Sequence, residues 1–253
     1  MAAAFHRGEW ATVADYGQHF PGRIEEARAR GDVHAIVASM LEGTVRFLLS
    51  DQPLRAEQFV DETGSVLPRD RFLMPNVWAG AMRVIVALYT GDHNRAWTMA
   101  ETLWRKFAKS QFSRVEYAAI VTLNVRGCAA IAAAAANNDR QPYIGVAMKC
   151  ARTLARKHAR WASAVSLLIE ACVANVKNER QRTLDLLQRA EVEFRACEML
   201  DYVSACQYRR GTLVGDKEGR ELIAAAGKWA TSQRVVNPAR VFDMLAPGRW
   251  EPT

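Results

Sequence analysis

Hydrophobic residues recur every three or four positions along almost the entire chain. The run Val77, Ala81, Val84 and Leu88 has this spacing, which places its members on one face of a helix. Two later runs share it: Trp161, Val165, Leu168 and Cys172, and Leu184, Leu187, Ala190 and Phe194. No run of alternating β-branched residues lies between turn signals, which disfavours a β-sheet. The pattern therefore predicts an all-α protein.

Short polar turns separate the hydrophobic runs, and several contain a Gly-Asp pair, at 31–32, 91–92 and 215–216. Glycine can adopt the left-handed backbone that ends one helix, and the aspartate can cap the next. Pro21 is expected to kink or split the first helix. The turns predict twelve helices, at roughly residues 10–30, 32–50, 54–67, 71–90, 93–109, 111–136, 139–158, 160–176, 179–197, 199–211, 216–231 and 237–245.

The turns themselves recur at a nearly constant distance. Asp51, Asp92, Asp139, Asn178 and Asp216 are separated by 41, 47, 39 and 38 residues. A helix pair repeated at such a period is typical of a stacked helical array, and short loops make neighbouring helices antiparallel. We predict a right-handed α-solenoid of five to six antiparallel helix pairs. It would form a single domain over residues 1–253, with a terminal helix and tail at 237–253.

Two of the turns resemble the turn of tetratricopeptide repeats, in which a small residue follows the turn on the second helix. The segment from Gly91 to Ala96 has this form, and the segment from Asn178 to Thr183, which continues to Ala190, resembles a second copy. The strict aromatic pattern is missing, and the repeat is longer than ~34 residues. The chain therefore resembles a degenerate tetratricopeptide-like array.

Four ordered segments are also similar to the helical tails behind the catalytic domain of some bacterial eukaryotic-type serine/threonine protein kinases, tails that also follow large signalling ATPases. These segments lie at residues 8–10, 29–32, 89–92 and 237–248. The resemblance implies a signalling module that works with such a kinase. The chain opens like the middle of an array, which predicts a piece of a longer ancestral protein or a split gene.

The residues that a kinase reaction requires are missing from the sequence. No two glycines are separated by a single residue and there is no Asp-Phe-Gly segment, so we predict no kinase catalytic domain. The five cysteines and five histidines lack metal-binding spacing, and we expect no metal or cofactor. An odd number of cysteines and the lack of a signal peptide or long apolar span favour a soluble cytoplasmic protein.

Four residues are candidates for a partner-binding groove. The tetratricopeptide resemblance implies that the first helix of each pair lines the groove, which places Trp78, Tyr89, Asn124 and Asn175 there. An asparagine on such a surface can bind a peptide backbone or a carboxylate. The alternative is that the aromatic residues belong to the core and the asparagines are exposed or cap helices.

Electrostatic charge is concentrated in one segment. The chain carries 34 Lys and Arg against 27 Asp and Glu, a net charge of +7, yet residues 140–169 contain six basic residues and no acid. Lys149, Arg152, Arg156 and Arg160, which we call the basic stripe, are spaced to share one helix face. Arginine would suit an acidic or phosphorylated peptide. The alternative is neutralisation by acids of the next hairpin: Asp185, Glu191 or Glu193.

These observations favour a non-catalytic protein-protein interaction or sensory scaffold module whose partner is a protein or peptide. One rival is a nucleic-acid-binding array that uses the basic stripe, although the stripe lacks interleaved aromatic residues. The other is an enzyme whose site forms only in the folded chain, because catalytic partners often converge from distant positions.

Overall fold

The computed structural model describes residues 2–16, 20–68 and 70–250, and this part of the chain is all-α, with fourteen α-helices and no strand. The helices are α1 (Ala2–His6), α2 (Trp10–Tyr16), α3 (Phe20–Ala29), α4 (Val33–Leu49), α5 (Pro53–Gly64), α6 (Met74–Tyr89), α7 (His93–Phe107), α8 (Glu116–Ala136), α9 (Gln141–Leu154), α10 (Arg160–Val176), α11 (Arg180–Ala196), α12 (Leu200–Val214), α13 (Lys217–Ser232) and α14 (Pro238–Leu245). A 3-10 turn, Gln111–Arg114, precedes α8.

The predicted helices are found, with three differences. The first is split into α2 and α3, and the residues between them lie outside the described part, as do residues 251–253 of the predicted tail. The short helix α1 is not predicted. The predicted helix over 139–158 is too long, because α9 ends at Leu154 and a turn leads to α10.

The Gly-Asp turns end and start helices as their chemistry predicts. Gly31, Gly91 and Gly215 have φ between 65° and 76°, in the left-handed region that glycine tolerates best. The carboxylate of Asp92 accepts a hydrogen bond from the backbone N–H of Arg95 at 3.1 Å, and the aspartates at 32 and 216 cap α4 and α13 in the same way. Each cap satisfies a donor that the first helical turn leaves unpaired.

The helices form an inner and an outer set. Consecutive helices from α6 to α13 pack against each other, as do α3 with α4, α4 with α5 and α5 with α6. The even-numbered helices α2, α4, α6, α8 and α10 also contact one another in that order. The even-numbered set therefore lies inside, and the odd-numbered helices from α3 to α13 cover it.

Helix α8 is the central member of the inner set. It has 21 residues and a mean hydropathy of 1.6 over its most apolar window, and 89% of that window is buried in the fold. By length and composition it could cross a membrane, but a buried core helix has the same properties. Its small residues permit close packing: a Cβ added at Gly127 would lie 2.6 Å from Cδ1 of Ile169 on α10.

The N-terminal segment is held against the end of the array. The backbone carbonyl of Arg7 accepts a hydrogen bond from the N–H of Leu200 at 3.2 Å. The carbonyl of Gly8 accepts one from Nε1 of Trp229 at 3.3 Å, and the indole of Trp10 packs edge-on against that of Trp229. The helices therefore form a closed succession in which α1 and α2 meet α12 and α13.

The C-terminal segment crosses the inner helices. Helix α14 packs against α6 and α12, and the N–H of Val236 donates to the carbonyl of Leu49 at 2.9 Å. Arg209 on α12 is 3% exposed; it bonds the carbonyl of Ala246 at 3.1 Å and the carboxylate of Asp243 at 2.5 Å. A buried cation needs such partners, so this segment is an integral part of the fold.

Gly8 provides a test of this closure. Its φ is +70°, and an added Cβ would lie 2.6 Å from the backbone nitrogen of Asp201. Gly31 has a similar φ of +65°, but nothing lies within 4 Å of its Cβ position. Alanine in the left-handed region costs about 1–2 kcal/mol at either position. The contact with Asp201 should add about 1–3 kcal/mol for Gly8→Ala.

Urea unfolding followed by circular dichroism should therefore show a larger loss of unfolding free energy for Gly8→Ala than for Gly31→Ala. Equal losses would contradict the close packing of the N-terminal segment on α12.

Candidate ligand-binding cavity

A cavity lies among the inner helices. Its wall consists of residues from α1, from every even-numbered helix from α2 to α14, and from Met199, which precedes α12. The space that water-sized molecules can occupy measures about 110 Å³, and the space between the lining atoms totals about 930 Å³ including its mouth. Because the odd-numbered helices from α3 to α13 contribute nothing to the wall, the alternation of the fold determines which residues face the cavity.

Aromatic rings form much of this wall. The imidazole of His6 meets the indole of Trp161 edge-on, with 4.8 Å between ring centroids. Tyr117 lies 5.6 Å from Trp161 and 6.1 Å from His6, and Phe5, Trp10 and Tyr202 complete the aromatic lining. These residues come from five different helices, so the aromatic wall exists only in the folded chain.

Buried polar atoms without a partner are concentrated in the same place. Among the described residues, four buried side-chain atoms lack a hydrogen-bond partner: Nε1 of Trp10, Oε2 of Glu42, Oγ1 of Thr44 and Oδ1 of Asp201. Three of these four residues line the cavity; only Glu42 does not. Unpaired buried polar atoms are uncommon because each costs about 1–3 kcal/mol. Their convergence on one cavity therefore calls for a functional explanation.

Asp201 is the acid of the cavity wall. It lies in the first turn of α12 and is 4% exposed. Desolvation raises the pKa of its carboxyl to about 7, although the backbone amides of Tyr202 and of Asp201 itself act in the opposite direction. Gly8 passes so close that an added Cβ would lie 3.0 Å from Oδ1, so the N-terminal segment shields this carboxyl from solvent.

The other titratable groups of the wall are held neutral. Burial lowers the pKa of the His6 imidazole and raises the pKa of the Cys128 thiol to about 12. Burial also raises the pKa of Tyr202, whose hydroxyl accepts a hydrogen bond from Nδ2 of Asn124 at 2.8 Å. None of these groups is activated as a nucleophile, since a reactive cysteine requires a lowered pKa.

A second chamber adjoins the cavity. The two share Phe5, Met82, Tyr117 and Val121 as a common wall, and the second chamber totals about 960 Å³ with its opening. His34 at its rim is exposed. The shared side chains therefore separate the cavity from a route to solvent.

The structure places the four candidate groove residues in different surroundings. Trp78 lines the second chamber and packs 5.5 Å from Tyr117, and Asn124 lines the cavity. Tyr89 is buried and donates its hydroxyl hydrogen to Asp51 at 2.9 Å. Asn175 accepts a hydrogen bond at 2.7 Å from the backbone N–H of Arg249. Asn175 thus bonds the backbone of the chain's own C-terminal segment, and its binding of an external partner stays a prediction.

The basic stripe does not share one helix face. Lys149 and Arg152 lie on α9, Arg156 lies in the turn after it, and Arg160 begins α10. The expected continuous face is wrong because α9 ends at Leu154. Arg160 pairs with Glu193 at 2.8 Å, one of the acids that the alternative interpretation named. The first three are exposed, and none has an ion-pair partner among the described residues.

The residues that the sequence did not reveal are Thr44 and Asp201. Thr44 lies within α4 between Gly43 and Val45, and Asp201 has the position of an ordinary first-turn acid that favours the helix dipole. The sequence around either residue does not distinguish it from a residue on the protein surface. Among the described residues, no cluster of three His, Cys, Asp or Glu is arranged to hold a metal ion.

Comparison of the chain with protein-family models, with curated proteins and with solved structures finds no match. The similarity to tetratricopeptide repeats and to kinase tails therefore rests on the sequence motifs alone.

The raised pKa of Asp201 predicts how stability depends on pH. Between about pH 4 and pH 7 the native carboxyl keeps a proton that the unfolded chain has lost. The free energy of unfolding therefore falls as the pH rises through this window, by up to about 4 kcal/mol from this residue. Asp201→Asn removes the titration and keeps the shape of the side chain.

Urea unfolding at pH 4.5 to 9 should show the wild type losing stability relative to Asp201→Asn as the pH rises, with the relative change levelling off about one unit above the native pKa of about 7. The exposed Asp70 supplies a control, because Asp70→Asn should follow the wild type. Parallel profiles for wild type and Asp201→Asn would show that the carboxyl is solvated in the folded protein.

Proposed function

We propose that this chain is a non-catalytic sensory module, a tetratricopeptide-like, right-handed α-solenoid that binds a small, mainly apolar molecule in the cavity among its inner helices. It passes the binding event to a signalling protein of the serine/threonine kinase type. The solenoid is supported by contacts between successive helices and between alternate ones. The kinase partner is supported by the ordered sequence segments alone.

One observation carries the ligand-binding proposal: three of the four unpartnered buried polar atoms belong to residues of one cavity wall. In a cavity with a merely structural role, selection for stability would favour apolar residues at these positions, because an unpaired polar atom costs about 1–3 kcal/mol. A small number of polar groups in an otherwise apolar, aromatic wall is typical of small-molecule sites.

The size of the cavity limits the ligand. An apolar cavity of roughly 150 Å³ holds one benzene ring, and the space of about 110 Å³ found here is similar. A molecule with one ring and a short chain fits with small side-chain movements. Larger molecules require Phe5 or Tyr117 to move toward the second chamber.

The uncharged probe 2-phenylethanol tests the site. We expect a dissociation constant near 1 mM from titration calorimetry and from quenching of tryptophan fluorescence. At 10 mM probe such binding stabilises the native state by about 1.4 kcal/mol, which raises the melting temperature by roughly 3–5 °C. Val125→Phe should weaken binding at least tenfold, because Val125 is buried in the cavity wall and the larger ring would occupy the space.

Val192→Phe is the matched control for this experiment. Val192 is 59% exposed on α11 and lies outside the cavity wall, so the same substitution there should leave binding unchanged. Val125→Leu repeats the test with a smaller change in volume. Equal binding by wild type and the folded Val125 variants would place the probe elsewhere and refute the cavity as the site.

An acidic protein partner for the basic stripe stays a prediction. Exposed Lys149, Arg152 and Arg156 without ion-pair partners support it, whereas the pairing of Arg160 with Glu193 removes one member. The nucleic-acid alternative would need the same three residues.

A further inference from the structure

We propose that the ligand of the cavity is an organic amine, whose ammonium group pairs with the carboxylate of Asp201 while its apolar body lies against the aromatic wall. This inference rests on the proposed function and adds the chemical class of the ligand. The unpartnered carboxyl oxygen in the cavity wall and the aromatic rings around the same space carry it independently of each other.

The carboxyl of Asp201 requires a donor. Its Oδ1 is buried without a hydrogen-bond partner. The Cβ position of Gly8 lies 3.0 Å from this oxygen, and a glycine offers no charge to balance the carboxylate. A buried carboxylate is costly unless it is paired and hydrogen-bonded. An ammonium group supplies both the opposite charge and up to three N–H donors.

The rest of the wall disfavours an anionic ligand. Among the described residues that line the cavity there is no lysine or arginine. Its histidine, His6, is half-buried beside Trp161, and desolvation lowers the pKa of its imidazole and so favours the neutral form. A carboxylate or phosphate ligand would therefore meet one negative side chain and no positive one, and Coulomb repulsion is strong in such a poorly solvated space.

The aromatic rings favour the same kind of ligand. The faces of Trp and Tyr rings attract organic cations, and the attraction grows when the cation is desolvated. Trp161 and Tyr117 are in mutual contact on the wall, and Trp10 and Tyr202 line the same cavity as Asp201. An amine attached to an apolar group can thus satisfy the carboxylate and bury its hydrocarbon part at the same site.

Three probes with the same ring and similar chains test the charge preference: 2-phenylethylamine, which is cationic, 2-phenylethanol, which is neutral, and 3-phenylpropionate, which is anionic. Titration calorimetry on the full wild-type chain at pH 8, above the pKa of about 7 of the Asp201 carboxyl, should show the amine binding at least tenfold more tightly than the alcohol, and the propionate binding most weakly. Asp201→Asn should bring the amine to within about threefold of the alcohol, and Asp70→Asn should keep the wild-type order.

The outcomes separate this inference from the proposed function. If the alcohol binds in the cavity and the amine shows no advantage, the sensory site stands and the amine assignment is wrong. If none of the three probes binds, or if Val125→Phe affects none of them, both proposals are wrong. The three-probe comparison uses the wild type, so the charge preference is decided even if Asp201→Asn does not fold.

Discussion

The contact of the N-terminal segment with α12 and α13 is the constraint on which the rest of the site depends. The carbonyl groups of Arg7 and Gly8 accept hydrogen bonds from Leu200 and Trp229, and the glycine at position 8 permits this close approach. An open helical array presents its inner helices to solvent, where a peptide can bind along them. Here the N-terminal segment and α14 cover those helices, and a cavity replaces the groove.

This closure explains why the cavity wall contains a buried polar atom without a partner, which lowers the stability of the fold. The approach of Gly8 shields Asp201 from water without supplying a partner for its Oδ1. The stability of the closed form must come from elsewhere. The apolar contacts of Phe5 and Trp10, the hydrogen bonds of the N-terminal segment and the ion pair between buried Arg209 and exposed Asp243 are the interactions that offset this cost.

Local sequence signals were sufficient for the helices and insufficient for the cavity. The Gly-Asp turns could be read because capping and the left-handed backbone depend on residues adjacent in the chain. The end of α9 at Leu154 could not be read, since the basic residues after it fit a helical spacing. Asp201 looked like an ordinary helix-start acid, because only the approach of Gly8, 193 positions earlier, makes it buried.

Asn175 also shows that local sequence signals do not reveal contacts between distant parts of the chain. Its residue type and helix indicated a group that binds a peptide backbone, and it does accept the N–H of Arg249. The sequence contains both partners, but their separation of 74 positions hides the pairing. The segment that Asn175 bonds belongs to the same chain. The expectation taken from open helical arrays therefore gives the type of contact, a hydrogen bond to a peptide backbone, but assigns it to an external partner.

The closure also provides a physical route from ligand to signal. A ligand in the cavity would touch Phe5, His6 and Trp10 on the N-terminal segment together with residues of the even-numbered helices from α4 to α14. Such a ligand binds the closed form better than any form in which that segment has left α12, and a ligand shifts a conformational equilibrium only through such a difference in affinity. Because the N-terminal segment bonds Leu200 and Trp229, a ligand that stabilises the closed form would stabilise these same contacts.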